Sequence, residues 1–163
     1  MKRRTPSAEE ETSESEVQLA IPVEGGAGPE GPEVELIEAE SLGSDRYRLL
    51  RPPFLAYGLS RDDVVRASSP GGEAPLRLEG VERKSGRRTL RAALDPGVTV
   101  EDRSLVPHLQ RLRALGCELA ALPPSVLAVD APEEVDLGAV VEELSRAGGE
   151  NLLVFEWVDP RRS

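Results

Sequence analysis

The sequence contains few of the side chains from which reactive centres are built. Its 163 residues include one cysteine, one histidine, one tryptophan, two tyrosines and two phenylalanines. A single cysteine excludes an intrachain disulfide, and no Cys/His spacing typical of a metal site occurs. No stretch approaches the roughly 18 apolar residues of a membrane span, and no apolar run follows the basic start "MKRR" as in a secretory signal. We therefore expect a soluble, cytoplasmic protein without a cofactor and without a membrane partner.

A Cys117–His108 dyad is the first candidate for catalysis. His108 lies near the middle of a predicted helix whose far end adjoins Cys117. At the rise of an α-helix the two residues are roughly 12 Å apart, beyond hydrogen-bond reach. We expect Cys117 to be a core residue and His108 to lie on the flank of the helix.

The acidic stretch "DAPEEVD", residues 130–136, is the second candidate. Its carboxylates could bind Mg²⁺ or Ca²⁺ as oxygen ligands. They also lie just before and at the start of a predicted helix, where the exposed N–H groups favour negative charge. We favour the second interpretation, expect that the protein is not an enzyme, and rank a metal-dependent enzyme last among its functions.

The charge is negative overall but unevenly distributed. The net charge is −10, yet residues 41–94 carry 11 basic and 6 acidic side chains. The overall negative charge and the lack of aromatic residues among the arginines disfavour nucleic acid as a partner. An acidic C-terminal part and an acidic N-terminal tail favour a basic protein, so the leading prediction is a non-catalytic binding or regulatory protein.

The pattern of residues predicts an α+β protein in three parts. Residues 1–33 are rich in Glu, Ser, Gly and Pro and are expected to be a disordered acidic tail. Its apolar island "VQLAIPV" (17–23) is expected to be a weakly ordered piece of linker, with a docking motif or an added edge strand as alternatives. Residues 34–87 contain short strands joined by turns, which predict a small curled, barrel-like β module. Its last two strands, "LRLEGVER" and "RRTLRAAL", are expected to form a hairpin at "KSG", and the second of them to be shared with the next module.

Residues 88–160 predict a ferredoxin-like βαββαβ module. Apolar residues recur at helical spacing in "SLVPHLQRLRALG" and again after Asp136. Ser104 is the expected N-cap and Gly116 the expected end of the first helix, and the second helix is expected to begin at Asp136. The strands "CELAAL", "VLAVDA" and "LLVFEWV" complete the pattern.

Two groups of residues are candidates for binding. Arg83, Lys84, Arg87 and Arg88 flank the predicted "KSG" turn and could bind phosphate, nucleic acid or an acidic protein surface, or could simply keep the protein soluble. Tyr57 follows Phe54 in "RPPFLAYG", and these rings either fill the end of the small barrel or line a ligand pocket. Small-ligand or phosphate binding through these residues is the alternative to a protein partner.

The same segments carry a family resemblance. "SLGSDRYRLLRPPFLAYGLSRDDVVRA", "VERKSGRRTLR" and "LGCELAAL" followed by "LAVDAP" resemble the bacterial family known as domain of unknown function 4265 (DUF4265), over residues 34–160. The sequence departs from that pattern at Asp62, where a glycine is expected before the aspartate of "DVV". The resemblance implies a fold family and a bacterial source, and no particular activity.

Overall fold

Five short strands of the first module close into a barrel. The computed structural model describes residues 16–23, 34–69, 71 and 75–159. The barrel strands follow one another in space in the order of the chain, with consecutive strands antiparallel and the first parallel to the last. They are β1 (Glu16–Pro22), β2 (Val34–Gly43), β3 (Arg46–Leu49), β4 (Val64–Ser68) and β5 (Leu76–Arg83). Tyr47 and aliphatic residues of these strands and of the connection between β3 and β4 fill the interior.

Strand β1 closes the barrel, so the prediction of a weakly ordered linker at residues 17–23 was wrong. It pairs with β2 along its whole length and with β5 in parallel through Leu19 and Ala20. Leu19 and Ile21 point inward and are buried. Without β1, both β2 and β5 would be open edges. The rest of the tail predicted at residues 1–33 lies outside the described residues.

Strand β6 (Arg88–Leu94) does not form a hairpin with β5, and the two modules share no strand. It lies in the second sheet, paired with strands from the C-terminal half. Both faces of β6 are covered, since Thr89, Leu90 and Ala92 are fully buried. A strand buried on both faces belongs at the centre of a sheet, whereas the β5 strand is largely exposed along one side. The "KSG" stretch is therefore a linker between modules.

The second module has the ferredoxin-like arrangement that the sequence predicts. Four antiparallel strands lie in the order β7-β8-β6-β9, and two helices cover one face of the sheet. The remaining elements are α1 (Val106–Leu115), β7 (Glu118–Leu122), β8 (Val126–Ala131), α2 (Leu137–Gly149) and β9 (Leu153–Trp157). Neither of these helices combines the length and apolar character needed to cross a bilayer.

The helix ends match the prediction at two positions and differ at one. Asp136 caps α2 by accepting a hydrogen bond from the Ala139 backbone N–H at 3.3 Å, and Gly116 ends α1 with a φ of 111°. Ser104 is not the N-cap of α1, which begins after Leu105 without a side-chain cap. The Ser104 backbone N–H instead donates to the Asp102 carboxylate, so the side chain that accepts a backbone hydrogen bond just before α1 is that of Asp102 and not that of Ser104.

Candidate functional site

The connection between β3 and β4, residues 50–63, lies between the barrel and the second sheet. We call it the seam loop. Its Gly58 N–H donates to the Val158 carbonyl at 2.8 Å, and the Ser60 hydroxyl bonds the Thr89 hydroxyl at 2.9 Å. Arg91 donates to two of its carbonyls, those of Leu55 and Ala56. This loop therefore fixes the barrel against the face of the second sheet that the helices leave uncovered.

A buried carboxylate holds the start of the seam loop. Glu35 on β2 accepts hydrogen bonds from the backbone N–H groups of Phe54, Leu55 and Ala56 at 2.7–2.9 Å. The Arg51 guanidinium lies 2.9 Å from the same carboxylate. Burial raises the pKa of Glu35, but these donors outweigh it and hold the pKa below its usual value. The "PPFLA" turn is thus folded around a charged group of the barrel.

Tyr57 does not fill a core. Its side chain is 38% exposed, and its hydroxyl donates to the Glu156 carboxylate at 2.7 Å. The Arg91 guanidinium lies 4.8 Å from the centre of its ring, a cation–π contact. The hydrogen bond to Glu156, together with burial, raises the pKa of Tyr57. Phe54 is buried as expected, while the aromatic residue inside the barrel is Tyr47.

The linker lysine is engaged within the molecule. The Lys84 ammonium lies 2.6 Å from carboxylate oxygens of both Asp63 and Asp159 and donates to the Gly58 carbonyl. Asp63 is fully buried and also accepts from the backbone N–H groups of Ser60 and Ser85. Lys84 therefore ties the seam loop to the linker and to the end of the second module.

Two of the linker arginines are also engaged within the molecule. Arg87 forms a two-pronged contact with the buried Asp130 at 2.9 Å and a further contact with Glu118 at 3.0 Å. Burial raises the pKa of Asp130 even though Arg87 counteracts it. Arg88 stacks over the Trp157 ring at 4.6 Å and donates to the Asp159 carbonyl.

Arg83 differs from its neighbours in the linker. It is exposed and no ion pair engages it among the described residues. The four basic residues predicted as one binding cluster are thus distributed over different contacts, because the two strands that flank them enter different sheets.

The remaining titratable candidates are buried apart from one another. Burial raises the pKa of the Cys117 thiol to about 11, and Cys117 packs in the core of the second module as predicted. His108 was expected on the flank of its helix. It is buried between the helices, with Nδ1 2.6 Å from Glu143 and Nε2 3.2 Å from Glu150.

The predicted acidic cluster does not converge on one point. Asp130 pairs with Arg87, and Asp136 caps α2. Within the described ranges, no group of three or more His, Cys, Asp or Glu side chains has a geometry that could hold a metal ion.

An open apolar cavity lies at the end of the second module farthest along β6 from the linker. We call it the distal groove. Its volume is about 340 Å³. Its lining comes from the loop after β6 and from the β7–β8 hairpin with its cis Pro123–Pro124 bond. The lining residues are Leu94, Thr99, Val100, Glu101, Ala121, Leu122, Pro123, Pro124 and Val126. The sequence offered only "PPS" as a turn signal there, so this groove was not predicted.

Comparison with known proteins places the chain in a family. The model of the family described as "Domain of unknown function (DUF4265)" matches residues 35–155. The chain belongs to the DUF4265 family. None of the curated proteins compared with it matches significantly. It is similar to a solved structure of a hypothetical protein from Neisseria gonorrhoeae, with a TM-score of 0.70 and 14% identity over 91% of this chain and 96% of the other. That similarity shows a shared fold.

The segment "PFLAYGLSRDD", one of those that carry the resemblance, lies within the seam loop. Its backbone contacts Glu35, β6 and residue 158, and its last residue is the buried Asp63. This part of the resemblance therefore falls on residues that join the two modules. Asp62, which replaces the expected glycine, has a φ of 70°, a left-handed conformation that glycine adopts at little cost.

Replacing Asp62 should separate backbone strain from side-chain contacts. Asp62→Gly and Asp62→Ala both remove the ion pair with Arg48, whose atoms are 3.4 Å apart. Only glycine also relieves the left-handed backbone. We expect Asp62→Gly to be more stable than Asp62→Ala by about 1 kcal/mol in urea unfolding. Equal stabilities would show that this turn relaxes when the side chain is removed.

Proposed function

We propose that this DUF4265 protein is a non-catalytic binding protein whose distal groove binds an apolar segment, flanked by basic residues, of a protein partner. The observation that carries this proposal is an open apolar groove with an acidic margin. Leu122 is 38% exposed at the groove, and Glu101 lines it. Exposed apolar surface bounded by polar residues is typical of a protein contact.

The charges around the groove support a basic partner. The described lining residues include one acidic side chain and no basic one. Asp95 directly follows the lining residue Leu94, and no hydrogen bond or ion pair engages the carboxylates of Asp95 and Glu101 in the part of the chain that the structure describes. An unpaired carboxylate on the wall of an apolar groove, here that of Glu101, favours lysine or arginine on the partner and speeds its association.

The linker arginines give less support to phosphate or nucleic-acid binding. Lys84, Arg87 and Arg88 contact carboxylates, a carbonyl or an aromatic ring of the same chain. A phosphate at these positions would have to replace contacts already made, at the cost of leaving buried carboxylates such as Asp130 unpaired. We further propose that the protein acts in the bacterial cytoplasm, a setting that suits its single, reduced cysteine.

A peptide titration tests the proposed function. The probe is a short peptide of alternating lysine and leucine, added to the full chain and followed by amide NMR shifts. We expect shifts at residues 98–101 and 121–126, and binding at least about tenfold weaker in the double variant Asp95→Lys/Glu101→Lys.

Three controls make this result interpretable. Glu79→Lys makes the same kind of charge change on the barrel surface and should leave the affinity within about twofold. A glutamate–leucine peptide tests the need for basic charge, and a lysine–serine peptide tests the need for apolar side chains. Shifts spread over the whole acidic surface, or equal binding of the lysine–serine peptide, would overturn the proposal.

A further inference from the structure

A second cavity lies on the face of the second sheet opposite the helices, next to the edge strand β9. Its volume is about 270 Å³, and its lining residues are Arg91, Ala93, Val154, Phe155 and Glu156. Val154 is the most exposed large apolar residue of the described chain, at 66%. The cavity therefore combines an apolar wall with a cation and a carboxylate, and it does not include any residue that lines the distal groove.

Arg91 is a buried cation with little compensation. Its residue is 8% exposed, and its terminal nitrogens donate to the uncharged carbonyls of Leu55 and Ala56. Its Nε has no hydrogen-bond partner among the described residues. Burial lowers the pKa of Arg91, which means that the environment does not fully stabilise its charge. A buried charge of this kind requires an anion nearby.

Glu156, the carboxylate that forms an ion pair with Arg91, is a loosely held partner. Glu156 lies 3.5 Å from the Arg91 guanidinium, and its side chain is 48% exposed. Its shorter contact, at 2.7 Å, is with the Tyr57 hydroxyl. A half-exposed carboxylate can rotate into solvent at small cost, since exposed ion pairs contribute about 0–1 kcal/mol. Its departure would free both the Tyr57 hydroxyl and the Arg91 guanidinium as donors.

We propose that this cavity binds a small monocarboxylate with an apolar tail. The carboxylate of the ligand takes the place of the Glu156 carboxylate, accepting hydrogen bonds from Arg91 and Tyr57. The tail lies against Ala93 and Val154, where it buries apolar surface that is otherwise exposed to water. This inference concerns a different surface from the distal groove and does not rest on the proposed protein partner.

Titration with hexanoate tests the site directly. We expect amide shifts concentrated at residues 91–93 and 154–156 in the full chain. Hexanamide has the same tail without the charge, and acetate has the charge without the tail. Both should bind at least about tenfold more weakly than hexanoate if charge and tail are each required.

Three variants separate the site from general effects. Glu156→Gln removes the competing charge and should strengthen hexanoate binding several-fold, and Tyr57→Phe removes a donor and should weaken it several-fold. Both side chains are partly exposed, so these variants should fold. Glu134→Gln makes the same change at an exposed glutamate without a contact in the described residues and should leave the affinity unchanged. Hexanamide binding as well as hexanoate, no shift at these amides, or no gain with Glu156→Gln would overturn the proposal.

Discussion

Replacing Glu35 by alanine is expected to lower the free energy of unfolding by about 3–5 kcal/mol. The change leaves the N–H groups of Phe54, Leu55 and Ala56 without their acceptor, and two of these residues are buried. It also removes the closest carboxylate of Arg51. Urea unfolding measures the loss, and Glu38→Ala is the matched control.

The control shares a strand and an ion-pair partner with Glu35 but not its burial. Glu38 also pairs with Arg51, at 3.1 Å, and its side chain is 44% exposed. We expect Glu38→Ala to cost less than about 1 kcal/mol. Similar losses in the two variants would mean that the backbone donors contribute little beyond the contact with Arg51.

The effect of Glu35 should depend on pH in a defined direction. Because its pKa is lower in the folded state than the ordinary value of 4.5, the ionised group stabilises the fold. That contribution is fully present above the unfolded-state pKa and is lost as the pH falls through the folded-state pKa. The difference in stability between the natural chain and Glu35→Gln should therefore be constant from pH 7 to about pH 5 and shrink on further acidification.

Replacing Asp63 by alanine is the second large effect, with an expected loss of about 3–5 kcal/mol. Asp63 is fully buried, and its carboxylate accepts from the N–H groups of Ser60 and Ser85 and lies 2.6 Å from the Lys84 ammonium. Its removal leaves the Lys84 ammonium with the Asp159 carboxylate and the Gly58 carbonyl. The loss should appear as a lower midpoint in urea at an unchanged slope.

Hydrogen exchange shows where the Asp63 variant weakens. The amides of Ser60 and Ser85 should exchange faster, since both lose their acceptor. Glu79→Ala is the control, because Glu79 is a barrel carboxylate that contacts the Ser68 hydroxyl at the surface. That variant should leave both amides unchanged. Slow exchange at Ser60 and Ser85 in Asp63→Ala would mean that other contacts hold the seam loop.

The sequence predicted individual helices and strands better than it predicted which strands pair with one another. The helical spacing in residues 104–116 and after Asp136 predicted both helices, and the βαββαβ order predicted the sheet. The strand interpretation of residues 17–23 was not favoured because their composition was judged against acidic and glycine-rich flanks, while β1 is stabilised by pairing with β2 and, across the closed barrel, with the distant β5. The "KSG" signal marked a break between two strands, but such a break does not specify which strands pair, and here β5 and β6 enter different sheets.

The same limit applied to the candidate residues. Lys84, Arg87 and Arg88 stood out by charge, whereas their partners Asp63, Asp130 and Asp159 lie elsewhere in the sequence. No local pattern relates a linker arginine to an aspartate on β8. The distal groove and the second cavity, next to β9, are each formed by residues from separate parts of the chain, so neither has a contiguous sequence signature.

Because β1 closes the barrel, the residue at which a recombinant fragment begins matters for this protein. The family match begins at residue 35, beyond the end of β1. A recombinant fragment that begins at residue 35 would lack β1 and would expose one edge of β2 and one edge of β5. The N–H and C=O groups of these edges would be free to pair with another molecule. Such a fragment should self-associate more readily than the chain that keeps β1, because it has lost the strand that pairs with both of these edges.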